Sequence, residues 1–131
     1  MSELKKRILI AEDNRVMSSV LRFNLERDGH DVTVAFSGTQ AFEFLKNDRF
    51  DLLFTDFQMP GMEGNELCRH VREDSRHAGM AIIMCSAKAF EIDIEKLQKE
   101  YGIAKVIFKP FSPMVVKQLI NELFAIEASL T

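Results

Sequence analysis

The sequence has little of what marks membrane, secreted or disulfide-stabilised proteins. It contains no tryptophan and two cysteines, and Cys68 and Cys85 form no CxxC pair and have no histidine at metal-ligand spacing. We therefore expect both thiols to be small buried side chains in a reducing compartment. No apolar run approaches the ~20 residues that cross a bilayer, and residues 1–7 lack the apolar stretch of a signal peptide. These absences predict a cytoplasmic protein without membrane insertion.

A strong charge of either sign is also missing. The formal net charge is -3, and Lys5-Lys6-Arg7 is too short for a basic arm, so no direct contact with nucleic acid is expected. The chain has 131 residues, of which 47% are hydrophobic and 28% charged. This size and composition predict a single globular domain over 1–131, whose core buries about two-thirds of the surface that the unfolded chain exposes.

Short apolar runs alternate with segments of helical periodicity. The runs are long enough for strands and too short for helices, and they predict strands at Arg7–Ala11, Asp31–Phe36, Asp51–Thr55, Met80–Cys85 and Ala104–Phe108. Strict alternation predicts a parallel sheet, because each right-handed crossover places its helix on a face of the sheet. The chain is too short for a closed eight-stranded barrel, which needs ~250 residues, and an open doubly wound α/β fold is favoured.

Five helices are expected between and after these strands. The first follows an N-cap at Asn14, ends near Gly29 and carries one broad apolar stripe, in which Met17, Leu21 and Leu25 lie beside Val16, Val20 and Phe23. The others are predicted at Thr39–Asn47, at Gly64–Glu73, along an inner face of Phe90, Ile94, Leu97 and Tyr101 that ends at Gly102, and after Pro113 with Val116, Leu119, Ile120, Leu123 and Phe124 buried.

The residues that follow the strands are the candidates for a site. In an open parallel sheet the binding crevice lies beyond the carboxyl ends of the strands. Strand one runs into Glu12-Asp13, strand three into Asp56, strand four into Ser86 and strand five into Lys109-Pro110. Three carboxylates, a hydroxyl and an amine are therefore expected at one crevice.

These groups favour phosphoryl transfer to a carboxylate. Clustered carboxylates repel one another, and a hard divalent cation such as Mg²⁺, which prefers oxygen ligands, offsets that repulsion. A phosphoryl group can then be met by the ammonium of Lys109 and by a hydrogen bond from Ser86. Asp56, at the end of the central apolar strand, is the candidate nucleophile, and Glu12 and Asp13 are candidate metal ligands.

Four motifs in this order carry a resemblance that covers essentially the whole chain. They are Ile8-Leu9-Ile10-Ala11-Glu12-Asp13-Asn14, Asp56-Phe57-Gln58-Met59-Pro60-Gly61-Met62-Glu63-Gly64, Met84-Cys85-Ser86-Ala87 and Lys109-Pro110-Phe111. The chain resembles the receiver domain of two-component response regulators, in its single-domain, chemotaxis-regulator-like form. The resemblance implies a three-layer flavodoxin-like (βα)5 fold, with five parallel strands in the order 2-1-3-4-5.

The resemblance also implies roles in phosphoryl transfer. Asp56 would accept a phosphoryl group from the phosphohistidine of a histidine kinase or a histidine phosphotransfer protein. Ser86 and Lys109 would hold the phosphoryl oxygens, and the Lys109-Pro110 bond would be cis.

The same resemblance implies a metal site. Asp13, Asp56 and the backbone carbonyl of Gln58 would bind Mg²⁺, with Mn²⁺ as an alternative ion, and Glu12 would help through water. The protein would then be a signalling receiver rather than an enzyme with a separate substrate, although it would catalyse its own phosphorylation and slow dephosphorylation.

Output would occur through protein contact. Phosphorylation would favour one of two arrangements of the surface formed by helix four, strand five and helix five, and so change its affinity for a downstream protein target. The position three residues before Lys109, usually Tyr or Phe in the family, is Val106. Its short, stiff side chain leaves the aromatic part of the signalling relay without a residue at the usual place.

Other functions match the sequence less well. A metal-dependent phosphatase with an aspartyl nucleophile would need a second Asp two residues after Asp56, where Gln58 stands. A nucleotide- or flavin-binding protein would need glycines in the first strand-to-helix turn, where Glu12-Asp13-Asn14-Arg15 presents negative charge. A phosphate-independent adapter of the same fold stays open, although the complete acidic site argues against it.

Overall fold

Strands and helices alternate along the chain as the sequence predicts. The computed structural model describes residues 5–87 and 93–129, with side chains up to 125. In chain order the elements are β1 (Arg7–Ala11), α1 (Arg15–Arg27), β2 (Asp31–Ala35), α2 (Gly38–Asn47), β3 (Leu52–Asp56), α3 (Gly64–Glu73), a 3-10 helix (Ser75–His77), β4 (Ala81–Ser86), α4 (Ile94–Tyr101), β5 (Lys105–Phe108) and α5 (Pro113–Ser129). None of the described helices is both long and apolar enough to cross a membrane.

The strands form one parallel sheet in the order β2-β1-β3-β4-β5, which confirms the predicted doubly wound fold. Helices α1 and α5 pack on one face, around Leu21, Leu25 and Val116. Helices α2, α3 and α4 pack on the other, around Leu45, Leu67 and other apolar side chains. Because both faces are covered, every residue of the central strand β3 is buried. This strand ends at Asp56, so the sheet delivers that carboxylate to its carboxyl edge.

Local signals set the ends of the helices. The Asn14 side chain accepts a hydrogen bond from the Met17 backbone N–H at 3.0 Å, which confirms the predicted N-cap of α1. Helix α2 begins one residue earlier than predicted, at Gly38, because Ser37 serves as its N-cap. Helix α4 ends at Gly102, whose φ of 63° is left-handed, as expected for a glycine C-cap.

The apolar stripe of α1 is narrower than predicted. Met17 and Leu21 face the core, but Val16 is 76% exposed and Phe23 62% exposed, and Val20 is exposed as well. A helix lying on a sheet buries only one stripe of its circumference, and these three side chains lie beyond its edge.

The prediction for α5 is confirmed. Val116, Ile120 and Phe124 are buried, and the partly buried side chains of Leu119 and Leu123 pack against the same core. Phe90, predicted on the inner face of α4, lies outside the described residues.

Arg72 joins the end of α3 to the end of α4. Its guanidinium donates hydrogen bonds to the carbonyl oxygens of Tyr101 (2.6 Å) and Gly102 (3.1 Å), and also to those of Ala78 (2.9 Å) and Met80 (2.8 Å) before β4. Burial lowers the pKa of this guanidinium. The cost of removing its charge from water is offset because its planar set of N–H donors bonds several carbonyl oxygens at once.

Arg72→Met should therefore lower the free energy of unfolding by at least about 2 kcal/mol, because the partly buried carbonyls lose their donor. The measurement is urea denaturation followed by circular dichroism. Arg69→Met is the matched control on the same helix, since Arg69 makes only an exposed ion pair with Glu73 and should cost less than about 0.5 kcal/mol. Equal losses in the two variants would show that Arg72 has no special role.

Candidate functional site

A buried ion cluster lies at the carboxyl edge of the sheet. Glu12 follows β1, Asp56 ends β3, and Lys109 follows β5. Glu12 is fully buried and Asp56 is 5% exposed. The Lys109 ammonium lies 2.9 Å from Asp56 Oδ2 and 2.9 Å from Glu12 Oε1. The structure thus brings together three of the residues that the sequence predicted at one crevice.

Two carboxylates share one ammonium in this cluster. Asn14 N–H donates to Glu12 Oε2 at 3.0 Å, whereas Glu12 Oε1 has the Lys109 ion pair but no bond of hydrogen-bond geometry. Burial raises the pKa of Glu12, against the opposing effects of Asn14 and Lys109. Burial would lower the pKa of Lys109, but the attraction of Asp56 and Glu12 more than offsets that effect and the pKa is raised. The crevice therefore holds a charged lysine and an excess of acidic groups.

The other predicted residues surround this cluster at different depths. Asp13 and Gln58 are exposed, so they lie on the rim and not in the buried pair. Ser86 is 2% exposed at the end of β4, and its carbonyl oxygen accepts a hydrogen bond from the Lys109 N–H at 2.9 Å. The Lys109-Pro110 peptide bond is cis, as the resemblance implied.

Cys85 is a neighbour of the site that the sequence interpretation missed. Both cysteines are free and buried as predicted, but Cys85 pairs with Asp56 in the parallel register of β3 and β4. Its Sγ and one carboxylate oxygen each from Glu12 and Asp56 all lie within 4.8 Å of one another. Burial, and then the charges of Asp56 and Glu12, raise the pKa of this thiol. The signal was available, since paired residues of adjacent parallel strands place their side chains on the same face.

The loop after Asp56 is held by close backbone packing. Phe57 N–H donates to the Cys85 carbonyl oxygen at 2.8 Å, and Gly64 N–H donates to the Phe57 carbonyl oxygen at 2.8 Å. A Cβ on Gly64 would collide with the backbone carbonyl of Asp56, and a Cβ on Gly38 would collide with that of Met62. Glycine at these two positions lets α2 and α3 begin directly against the loop.

The donor set fits a hard divalent cation at the mouth of the crevice. Glu12 and Asp56 supply buried carboxylate oxygens, and Glu12 Oε1 lacks a hydrogen bond. Exposed Asp13 stands next to them on the rim. Mg²⁺ prefers oxygen ligands and keeps several waters, so a site with few carboxylates that opens to solvent suits it.

A family model described as response regulator receiver domain matches residues 8–121. The chain belongs to this family. Its fold agrees, because solved receiver domains superpose on it over most of their length. The receiver domain is therefore a module of two-component signalling, and its acidic crevice occupies the carboxyl edge of a CheY-like fold.

Three solved structures illustrate the similarity. The chemotaxis response regulator CheY4 of Vibrio cholerae is 25% identical, with a TM-score of 0.81 over 90% of this chain and 98% of that one. A CheY-like receiver domain protein from Methanospirillum hungatei is 26% identical, with a TM-score of 0.85 over 97% and 99%. The receiver domain of a sensor histidine kinase from Pseudomonas aeruginosa is 26% identical, with a TM-score of 0.79 over 90% and 96%, and it coordinates a magnesium ion in its active-site cleft.

The raised pKa of Glu12 predicts a pH-dependent effect of Glu12→Gln. Stability that depends on protonated Glu12 is present below the ordinary pKa of 4.5 and is lost as the pH rises through the raised value. Glutamine has no carboxyl group to titrate, so the Glu12→Gln variant does not lose this stability. Its free energy of unfolding relative to wild type should therefore increase as the pH rises above 4.5.

Urea denaturation in metal-free buffer at several pH values measures this difference. Glu63→Gln is the control, because Glu63 is exposed and makes no side-chain hydrogen bond at the start of α3, so it should show no such trend. A constant difference between Glu12→Gln and wild type over this range would contradict the prediction.

Proposed function

We propose that this receiver domain accepts a phosphoryl group on Asp56 from the phosphohistidine of a histidine kinase or histidine phosphotransfer protein. The observation that carries the proposal is the contact of the Lys109 ammonium with Asp56 Oδ2 at 2.9 Å, at the end of the fully buried strand β3. A carboxylate held beside an ammonium at the mouth of a crevice can attack phosphorus, and its product is neutralised where it forms.

The proposed reaction is an in-line displacement. A carboxylate oxygen of Asp56 forms a bond to phosphorus while the bond from phosphorus to the donor nitrogen breaks, and the imidazole leaves with that electron pair. Lys109 holds a phosphoryl oxygen through its ammonium, and the Ser86 hydroxyl donates a hydrogen bond to another. Lys109 already contacts the carboxylate, and Ser86 ends the strand that neighbours β3.

The proposed metal ligands are Asp13, Asp56 and the backbone carbonyl of Gln58, with Glu12 acting through water. The magnesium ion in the active-site cleft of the Pseudomonas aeruginosa relative supports a metal in this crevice, as does the excess of acidic groups around Lys109. When bound, Mg²⁺ or Mn²⁺ supplies charge neutralisation for the phosphoryl oxygens. Glu12 and Asp56 hold the acidic character of the crevice, while the exposed Asp13 and Gln58 leave it open to solvent.

We propose that output is a change in affinity for a downstream protein at the surface of α4, β5 and α5. Ser86 ends the strand that leads to α4, so a bond from Ser86 to the phosphoryl group acts on that connection. Met114 and Val115 are exposed at the start of α5 and can contribute apolar area. Val106 is partly buried and packs against the same core cluster as Tyr101, the last residue of α4.

Incubation of the purified chain with Mg²⁺ and acetyl phosphate should add one phosphoryl group, and Asp56→Asn should abolish the gain. Intact-protein mass spectrometry measures it. Asp51→Asn is the matched control, because Asp51 is an exposed aspartate just before the same strand and should be labelled like wild type. An unchanged mass of the wild-type chain, under conditions that label a known receiver, would reject the proposal and favour the phosphate-independent adapter.

Phosphorylation should also change the intrinsic fluorescence of Tyr101. The sequence has one tyrosine and no tryptophan, so the emission comes from the last residue of α4 alone. Beryllofluoride with Mg²⁺ should alter its intensity or anisotropy, and Asp56→Asn should remove the response while Asp51→Asn keeps it. Identical spectra of wild type with and without beryllofluoride, once its binding is verified by mass, would contradict the proposed involvement of α4.

A further inference from the structure

The thiol of Cys85 borders the acidic crevice but belongs to no part of the proposed phosphoryl transfer. Cys85 is fully buried, and within residues 5–87 and 93–129 its side chain has no hydrogen-bond partner. Its Sγ and the carboxylate oxygens of Glu12 and Asp56 lie within 4.8 Å of one another. Glu12 Oε1, also buried, has no bond of hydrogen-bond geometry. The Cys85 thiol and a carboxylate oxygen of Glu12, whose partner is the Lys109 ammonium at 2.9 Å, therefore face the same small volume.

We infer that Glu12, Asp56 and Cys85 form a site for a thiophilic divalent cation such as Zn²⁺ or Cd²⁺. A thiolate with two carboxylate oxygens and a water is a donor set that Zn²⁺ accepts, whereas Mg²⁺ binds oxygen ligands alone. Ligand atoms around one tetrahedral ion lie about 3.5 Å apart. The three donor atoms lie within 4.8 Å of one another, so side-chain movements of about 1 Å close the site.

The ion takes the place of the Lys109 ammonium. Lys109 Nζ lies between Asp56 Oδ2 and Glu12 Oε1, at 2.9 Å from each, and its side chain is 19% exposed, so it can turn toward solvent. The Cys85 thiol loses its proton to the buffer as the metal–sulfur bond forms, and no electron is transferred. The dication replaces a monocation while the thiol becomes a thiolate, so the net charge of the cluster is unchanged and binding depends on the strength of the metal–sulfur bond.

Binding of such an ion would block the acceptor. Lys109 is displaced from Asp56, so its ammonium no longer holds a phosphoryl oxygen there, and the bound ion keeps Mg²⁺ from the carboxylates of Glu12 and Asp56. This consequence rests on the proposed function, whereas binding of the ion does not. Thiophilic metals would thus inhibit phosphorylation of this chain through Cys85. A receiver with an apolar side chain at this position would lack that inhibition.

The test is a Cd²⁺ titration of the metal-free, reduced full chain, followed by the thiolate-to-cadmium charge-transfer absorption. Wild type should bind one ion with appearance of the band. Cys68→Ala should behave like wild type, because Cys68 is equally buried but lies in the core cluster on the other face of the sheet. Cys85→Ser should lose the band and bind Cd²⁺ at least about a hundredfold more weakly, since even the loss of outer-shell partners of a metal costs ~10–100-fold.

Asp56→Asn and Lys109→Met provide variants that leave both thiols in place. Asp56→Asn should weaken Cd²⁺ binding and keep a weakened band, and Lys109→Met should strengthen binding because the competing ammonium is gone. A band that is absent in wild type, or that survives in Cys85→Ser and disappears in Cys68→Ala, would overturn the inference. Labelling by acetyl phosphate in Mg²⁺ uses no thiolate. Failure of the labelling would therefore contradict the proposed function alone, and failure of the Cd²⁺ titration would contradict the metal site alone.

Discussion

The acidic crevice depends on one partly buried lysine that serves two carboxylates. Lys109 contacts both Asp56 and Glu12, and each of these acidic groups is removed from water by a strand that is covered on both faces. Removal of charges from water is costly unless each finds a partner. One ammonium cannot neutralise two carboxylates, so the crevice keeps an unmet negative charge. That charge is the source of its affinity for cations, and the apolar core around β1 and β3 is what maintains it.

Much of this arrangement could be predicted from the sequence, because it follows from the topology. Once the strands are recognised as parallel, their carboxyl ends must meet, and the residues after β1, β3, β4 and β5 become neighbours without any knowledge of side-chain positions. How deeply each of these side chains is buried was harder to predict. Asp13 follows Glu12 directly, yet Glu12 is buried and Asp13 is exposed, because adjacent residues at the end of a strand point in opposite directions.

Packing beyond the sheet was predicted less well. The exposed side chains Val16, Val20 and Phe23 were assigned to the core stripe of α1 because their spacing is helical, but spacing does not give the width of the stripe that a sheet covers. The place of Cys85 beside Asp56 depends on strand register, and single-sequence reasoning treated this thiol as an ordinary core residue. Arg72 was not singled out, because its partners are backbone carbonyls that leave no mark on the sequence.

The glycine contacts make the crevice asymmetric. Toward α2 and α3, the loop after Asp56 lies against the helix starts at Gly38 and Gly64 with no room for a methyl group. The main chain of that loop is therefore packed directly against main chain on this side of the crevice. Gly38 and Gly64 thereby make the α2 and α3 side of the crevice its closely packed side, where a larger side chain would have to displace main chain.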